Sequence, residues 1–247
     1  MLAHERQAEL QRLLAEQGTV LVSELAKAWD VSEMTVRRDL KTLEDQGVVS
    51  RVHGGAVAGG ALRWRSRIDQ HRPEKLRAAA KLAALLPESG CIYLDGSTTI
   101  FHLAEHLEQV SGLVVVTNNI DTLQRLEHYP GIEAVLVGGR LNRATDNLVG
   151  PLARRCLEQL AFAAAFFSAY GCDAEVGCTE PALEDAELKA WVCERSTAIR
   201  VALNHQKLGT RAAGVWRPPP ERSLLATDLD ADDARLAPYR TGYAAII

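Results

Sequence analysis

Five hydrophobic runs recur through the last two thirds of the chain, at residues 91–94, 113–117, 134–137, 163–169 and 198–203, with amphipathic stretches between them. Strand-length runs alternating with helix-length stretches predict parallel strands joined by crossover helices, because a parallel pair needs a long connection. The expected body, over residues 73–247, is a Rossmann-like α/β layered domain. Ligands of such sheets sit beyond the carboxyl ends of the strands, so the residues that follow each run are where chemistry is sought.

Those residues share a character. Asp95-Gly96-Ser97-Thr98-Thr99 follows the first run and leads into a helix over 100–107, where free N–H groups and the helix dipole favour an anion. Thr117-Asn118-Asn119, Gly138-Gly139-Arg140, Tyr170-Gly171-Cys172-Asp173 and the stretch from Asn204 through Lys207 to Gly209 follow the other four. Taken singly, Gly-Gly is an ordinary turn, Ser-Thr-Thr an ordinary helix start and Lys207 an ordinary surface lysine. Their shared placement suits a phosphorylated sugar or polyol: hydroxyls and amides for the anion, Lys207 for charge, Asp95 or Asn118 for sugar hydroxyls. No Walker loop or dinucleotide fingerprint is present, and no cofactor is expected.

The first 56 residues read as a separate small domain. Leu10, Leu13 and Leu14 mark one face of a helix over 5–17 that Gly18 ends, and Ser23 is the expected N-cap of a short helix carrying Leu25, Ala26 and Trp29 inward. Ser32 caps a third helix. At 100° per residue Val36, Leu40 and Leu43 share its buried side, which leaves Thr35, Arg37, Arg38, Lys41 and Thr42 outward and Gly47 at its end. Arginine and lysine bond guanine edges or phosphates and threonine meets a thymine methyl or a phosphate, so this face suits a major groove. Asp39 lies between the two sides and is expected to orient a neighbouring arginine. Residues 48–53 alternate as a short strand, which makes Arg51 and His53 candidates for a wing against the phosphate backbone. Seven Lys/Arg against nine Asp/Glu in residues 1–58 keep open the alternative of a plain three-helix domain with a solvated charged face.

Residues 54–61 are small and glycine-rich and read as a hinge, with a linker over 57–72. Arg63, Arg65, Arg67, Arg72, Lys75, Arg77 and Lys81 follow against only Asp69 and Glu74. Two readings stand for this basic stretch: added phosphate contacts beside the head, or the solvated side of a helix over 73–86.

Glu5-Arg6-Gln7, Glu24-Leu25-Ala26, Val31-Ser32-Glu33, Thr35-Val36-Arg37-Arg38-Asp39-Leu40 and Arg51-Val52-His53-Gly54-Gly55-Ala56 occur in order through the head. In this the chain resembles the DeoR family of bacterial transcriptional regulators. The body continues the resemblance at Lys75, Asp95 with Thr98-Thr99, Thr117-Asn118, Gly138-Gly139, Gly150-Pro151, Gly171, Lys189, Lys207 with Gly209, and Thr227-Asp228. The resemblance implies a winged helix-turn-helix head, DNA contacts from Thr35, Arg37 and Arg38, and a sensor body similar in fold to sugar-phosphate isomerases. Two departures stand out: Asp-Gly-Ser-Thr-Thr where the family usually has Asp-Ser-Gly-Thr-Thr, and Asn204 where an aspartate is common.

The 247 residues are 47% hydrophobic, enough for a sizeable core, and the net charge of −4 confines any DNA contact to a local patch. The five cysteines are scattered and odd in number, as reduced cytosolic thiols are, and no membrane span or signal segment is read. His102 and His106 lie four apart without a third ligand, and Cys172 and Cys178 lack a second pair, so no metal site is expected. Asp185 and Lys189 have the spacing of a helix-surface ion pair, although Lys189 is also a candidate for the pocket rim. The expected protein is a cytoplasmic, homo-oligomeric repressor, dimer or tetramer, that binds operator DNA through Ser32, Thr35, Arg37, Arg38, Lys41, Arg51 and His53. A phosphorylated sugar or polyol would release it through Asp95, Gly96, Ser97, Thr98, Thr99, Asn118, Gly171, Lys189 and Lys207. The alternative is a sugar-phosphate isomerase or deaminase, which would need a base such as Asp95 or Asp173.

Overall fold

The computed structural model describes residues 2–45, 48–52, 54–58, 64, 67–143 and 145–247. The chain divides into two compact units, residues 1–70 with 142–146, and residues 71–141 with 147–247. Gly47, His53, Arg63 and Arg65, each given a role above, lie outside the described residues.

In the first unit α1 (Ala3–Gln17) ends where Gly18 turns left-handed at φ +73° and donates its N–H to the Leu14 carbonyl. β1 (Thr19–Leu21) leads into α2 (Val22–Trp29), closed by Asp30 in the left-handed region. Ser23 is not the cap of α2: the N-cap is Leu21, two residues earlier, and the Val22 N–H is satisfied by the Gly54 carbonyl rather than by a hydroxyl. α3 (Glu33–Asp45) is capped as expected, the Ser32 Oγ accepting the Thr35 N–H at 3.2 Å. β2 (Val49–Val52) and β3 (Gly55–Ala58) complete a three-stranded antiparallel sheet in the order β1-β3-β2.

Residues 55–58, read above as hinge, are thus the central strand of that sheet. Gly55 shows why small residues stand there: a Cβ on it would lie 2.1 Å from the Val20 carbonyl oxygen. The core is Leu10, Leu14, Val20, Leu25, Val36, Leu40, Leu43 and Val49, all buried. At roughly 1.5–3 kcal/mol for each fully buried aliphatic side chain, apolar burial fastens the three helices.

The second unit opens with α4 (Arg72–Ala83) and β4 (Gly90–Leu94). There follow α5 (Thr98–Leu103), β5 (Leu113–Thr117), α6 (Ile120–Leu126), β6 (Ile132–Leu136), β7 (Arg140–Asn142), β8 (Asn147–Val149), α7 (Pro151–Leu157) and β9 (Phe162–Phe167). The chain then runs through β10 (Gly171–Asp173), β11 (Gly177–Glu180), α8 (Leu183–Glu194), β12 (Ser196–Leu203), β13 (Gly214–Trp216), β14 (Ser223–Thr227) and β15 (Ala245–Ile246). Seven strands form one parallel sheet in the order β15-β14-β12-β9-β4-β5-β6, with a hydrophobic cluster on each face.

The expected α/β architecture is therefore present. All five hydrophobic runs are strands of this sheet, and β14 and β15 extend it beyond them. A smaller antiparallel sheet, β10-β11-β13, lies in the same unit. Among the described residues no helix is long and apolar enough to cross a membrane.

Candidate functional site

The outer face of α3 follows from its inner one. Val36, Leu40 and Leu43 are buried, so the geometry of the helix leaves Arg37, Arg38 and Lys41 exposed and Thr35 half-buried. Arg37 lies 3.1 Å from Glu33 one turn back, a solvent-screened pair that a stronger anion displaces at little cost. The Ser32 and Thr35 hydroxyls bond each other at 2.9 Å across the first turn of the helix. Asp39 does orient an arginine: it is buried and pairs with Arg6 of α1 at 2.7 Å, which fixes α1 against α3. Arg51 on β2 is exposed, with its guanidinium held 2.6 Å from Glu44.

In the second unit the sheet order sets Asn204, Ser168, Asp95 and Asn118 side by side, each just past the carboxyl end of its strand, β12, β9, β4 and β5 respectively. Asp95 is a hub rather than a free carboxylate. Its Oδ1 accepts from the Ser97 N–H and Oγ–H, and its Oδ2 accepts from the Ser168 N–H and lies 2.9 Å from Lys189 Nζ. Ser97 also caps α5 through Ile100, while Thr98 and Thr99 are buried, Thr99 beside the Ser168 hydroxyl. Lys207 is half-buried and donates to Ser168 Oγ at 2.9 Å and to the Ala169 carbonyl at 2.6 Å, so its ammonium is held at the centre of the row. Asn118 donates to the Leu148 carbonyl at 3.3 Å. Two buried acceptors in the row, Asn118 Oδ1 and Asn204 Oδ1, have no hydrogen-bond partner among the described residues.

Lys189 is not a surface residue and Asp185–Lys189 is not a surface pair. Both are buried, and Lys189 sits between Asp95 and Glu180 while donating to the Ser168 carbonyl. Burial opposes its charge, but the two carboxylates prevail and hold it protonated well above the ordinary lysine range. Burial likewise pushes Glu180 up, against the pull of Lys189. Asp185 instead accepts from Asn147 Nδ2 at 3.1 Å, and Asn147 Oδ1 accepts from Asn119.

Asn147 explains the inverted order at Gly96. A Cβ on residue 96 would lie 1.8 Å from Asn147 Oδ1, so glycine is required for close approach and not for its backbone angle. Gly171 is required for a similar reason, since a Cβ there would meet the Thr210 carbonyl oxygen at 2.3 Å. Asn147, Glu180 and Ser168 were missed in the sequence, where each is an ordinary polar residue far from its partners.

The basic stretch before β4 is not a uniform solvated face. Lys75 is buried and Lys81 donates to the Leu229 carbonyl at 2.8 Å, while Arg72 and Arg77 are exposed. Neither base candidate is arranged for proton abstraction. Asp95 is 1% exposed and saturated with donors, and the Arg211 guanidinium together with the Val176 N–H draws Asp173 down to about 2. A groove of about 260 Å³ elsewhere in the unit, lined by Gly150, Pro151, Arg154, Glu184, Glu187, Leu188 and Trp191, contains none of the expected effector residues.

Comparison with known families matches residues 6–59 to the DeoR-like helix-turn-helix domain and residues 70–228 to the DeoR C terminal sensor domain. The chain is 31% identical over 237 residues to the HTH-type transcriptional regulator FruR of Bacillus subtilis, covering 93% of each chain. It is 32% identical to the HTH-type transcriptional regulator GolR of Listeria innocua (92% of this chain, 91% of that one), and 30% identical to the lactose phosphotransferase system repressor of Streptococcus mutans (94% and 95%). These relatives are named as regulators, which disfavours the enzyme alternative.

Proposed function

This chain belongs to the DeoR family of transcriptional regulators, and from that premise we propose that it represses a sugar or polyol catabolic operon and leaves its operator when a phosphorylated intermediate binds the body. The observation that carries the DNA half is the face of α3, where Arg37, Arg38 and Lys41 project together from a helix anchored by Val36, Leu40 and Leu43. On this reading Arg37, Arg38 and Thr35 meet base edges or phosphates, Ser32 fixes the start of the helix, and Lys41, Arg51 and His53 meet the backbone. One small module rarely outcompetes genomic sites, so a homo-oligomer with paired heads in the cytoplasm fits the task. Against the expected bounds of head 1–56, linker 57–72 and sensor 73–247, we move the end of the head to residue 58, because β3 (Gly55–Ala58) belongs to its sheet, and begin the sensor with α4 at Arg72.

The effector is assigned to the row of strand ends. Lys207 supplies charge, Thr98 and the Asn118 amide supply polar contacts, and Gly96 and Gly171 let the loops close up. Asp95, Ser97, Thr99 and Lys189 hold the geometry from beneath. A buried acceptor without a donor costs about 1–3 kcal/mol, so the open Oδ1 of Asn118 favours a ligand that carries hydroxyls. The lactose phosphotransferase repressor named among the relatives is consistent with a phosphorylated sugar.

Fluorescence anisotropy with operator DNA over a range of salt tests the first half. Arg37→Ala with Arg38→Ala should abolish specific binding while effector binding persists, and unchanged affinity and salt slope refute the helix assignment. A thermal-shift screen of phosphorylated sugars tests the second, because a ligand of the folded state raises stability by mass action. Lys207→Ala should erase that shift and leave DNA binding intact.

A further inference from the structure

None of the five cysteines has a part in this scheme, and two of them stand side by side. Cys172 on β10 and Cys178 on β11 are direct cross-strand partners, both buried, with Sγ atoms 3.7 Å apart. The Tyr243 hydroxyl lies 3.4 Å from Cys178 Sγ and 3.7 Å from Cys172 Sγ. Opposed residues of antiparallel strands have Cα separations of about 4.5–5.5 Å, inside the roughly 4.4–6.8 Å that a disulfide accepts. Joining them needs only a small local movement of the two strands.

The pair is also wired to the proposed effector loop. The Cys172 carbonyl accepts the Gly209 N–H at 2.8 Å and the Tyr239 hydroxyl at 3.2 Å, and Cys172 bridges to Leu208. Lys207, one residue before that bridge, is the lysine whose ammonium rests on Ser168 and Ala169. Drawing the sulfurs from 3.7 Å to a bonded distance of about 2.05 Å shifts the strand on which this loop is hung.

We propose that Cys172 and Cys178 form a reversible intrachain disulfide with a hydroperoxide as oxidant, and that closing it loosens the Lys207 loop. The Cys172 thiolate attacks the terminal peroxide oxygen; the O–O bond breaks, water or an alcohol leaves with the proton given up by the thiol, and Cys172 becomes a sulfenic acid. The Cys178 sulfur then attacks the sulfenic sulfur, and its proton leaves with the hydroxyl as water. Two thiols supply the two electrons that reduce the peroxide. The order follows from the surroundings: hydrogen bonding from Cys178, aided by Tyr243, lowers the Cys172 thiol. Hydrogen bonding to Cys172 and burial raise Cys178.

The test uses the full chain and does not depend on the DNA or effector reading, so the two can fail separately. Reduced protein is treated with hydrogen peroxide, free thiols are alkylated, and the chain is cleaved after glutamate. Glu175 lies between the two cysteines and the Glu180–Pro181 bond resists cleavage, so fragments 159–175 and 176–184 should stay joined until a reductant is added. Cys178→Ala should abolish the joined species. If that variant does not fold, the wild-type map still decides. Amide exchange over residues 204–210 should quicken severalfold on oxidation and return on reduction. Modification of the exposed Cys156 with Cys172 and Cys178 both still alkylated would overturn the disulfide, and a formed disulfide with unchanged exchange over 204–210 would overturn its control of the loop.

Discussion

The two units treat positive charge in opposite ways. In the head the cations of α3 stand in solvent, and the buried Arg6–Asp39 pair works behind them as a fastener. In the body Lys189 lies beneath the candidate site between two carboxylates, and Lys207 is held by Ser168 and Ala169. A polyanion with regular phosphates is met by mobile exposed charge, whose binding is salt-dependent. A small ligand is met by groups fixed in advance, which avoids ordering costs at the moment of binding. Stability should therefore be far more sensitive to the buried cation Lys189 of the body than to the exposed cations of α3.

The largest expected effect is at Lys189. Lys189→Ala leaves Asp95 and Glu180 buried without their counter-charge, and breaking a buried pair of this kind costs about 3–5 kcal/mol. Urea unfolding of the full chain should show that loss. Arg37→Ala with Arg38→Ala should change stability by no more than about 0.5 kcal/mol per site. Equal losses at the two places would erase the contrast between the units.

Gly96→Ala comes next. The new methyl collides with Asn147, whose side chain links Asn119 to Asp185, and overpacking of this sort costs about 1–3 kcal/mol. Pairing it with Asn147→Ala should restore part of the loss, and a double mutant no better than Gly96→Ala alone would show that the two do not meet. Ser32→Ala removes the cap of α3, at about 1 kcal/mol by thermal or urea unfolding. DNA affinity should fall with it, since the first turn of α3 carries Thr35.

What was legible in the sequence was whatever repeats at a fixed spacing. Leu10 with Leu14, and Val36 with Leu40 and Leu43, declare helix faces, and the hydrophobic runs declare strands with their polar ends. The spacing that put Asp185 and Lys189 on one helix face was correct about the face and wrong about its surroundings, because α8 buries Lys189 against Asp95 and Glu180, brought from the end of β4 and from β11, and Asp185 against Asn147 of β8. Asn147 lies far along the chain from Gly96, so only the folded sheet reveals that the inverted Asp-Gly-Ser order and this asparagine are one feature. Residues 55–58 misled for a related reason: glycine and alanine look like a hinge when the closely approaching strand that demands them cannot be seen.

The smallest expected effect also separates a merely charged loop from a built one. Asp173 ends β10 whereas Asp95 directly follows β4, and Asp95 lies beneath the candidate site while Asp173 is half-buried at the turn toward β11, bound by Arg211 at 2.7 Å. With its folded pKa drawn to about 2, below its unfolded value, ionised Asp173 favours the fold above the unfolded pKa, and that contribution is lost as pH falls through the folded one. Arg211→Gln removes the first cause of the shift and leaves the bonds from the Val176 and Glu175 N–H groups. NMR titration of the Asp173 carboxyl should then find its pKa moved up toward the ordinary aspartate range. The variant should be slightly less stable than the parent near neutral pH, and the difference should vanish as pH falls through the folded pKa, so the acid limb of the stability profile flattens. A pKa that stays near 2 would assign the shift to the backbone turn, and the turn after β10 would then be as preorganised as the loop after β4.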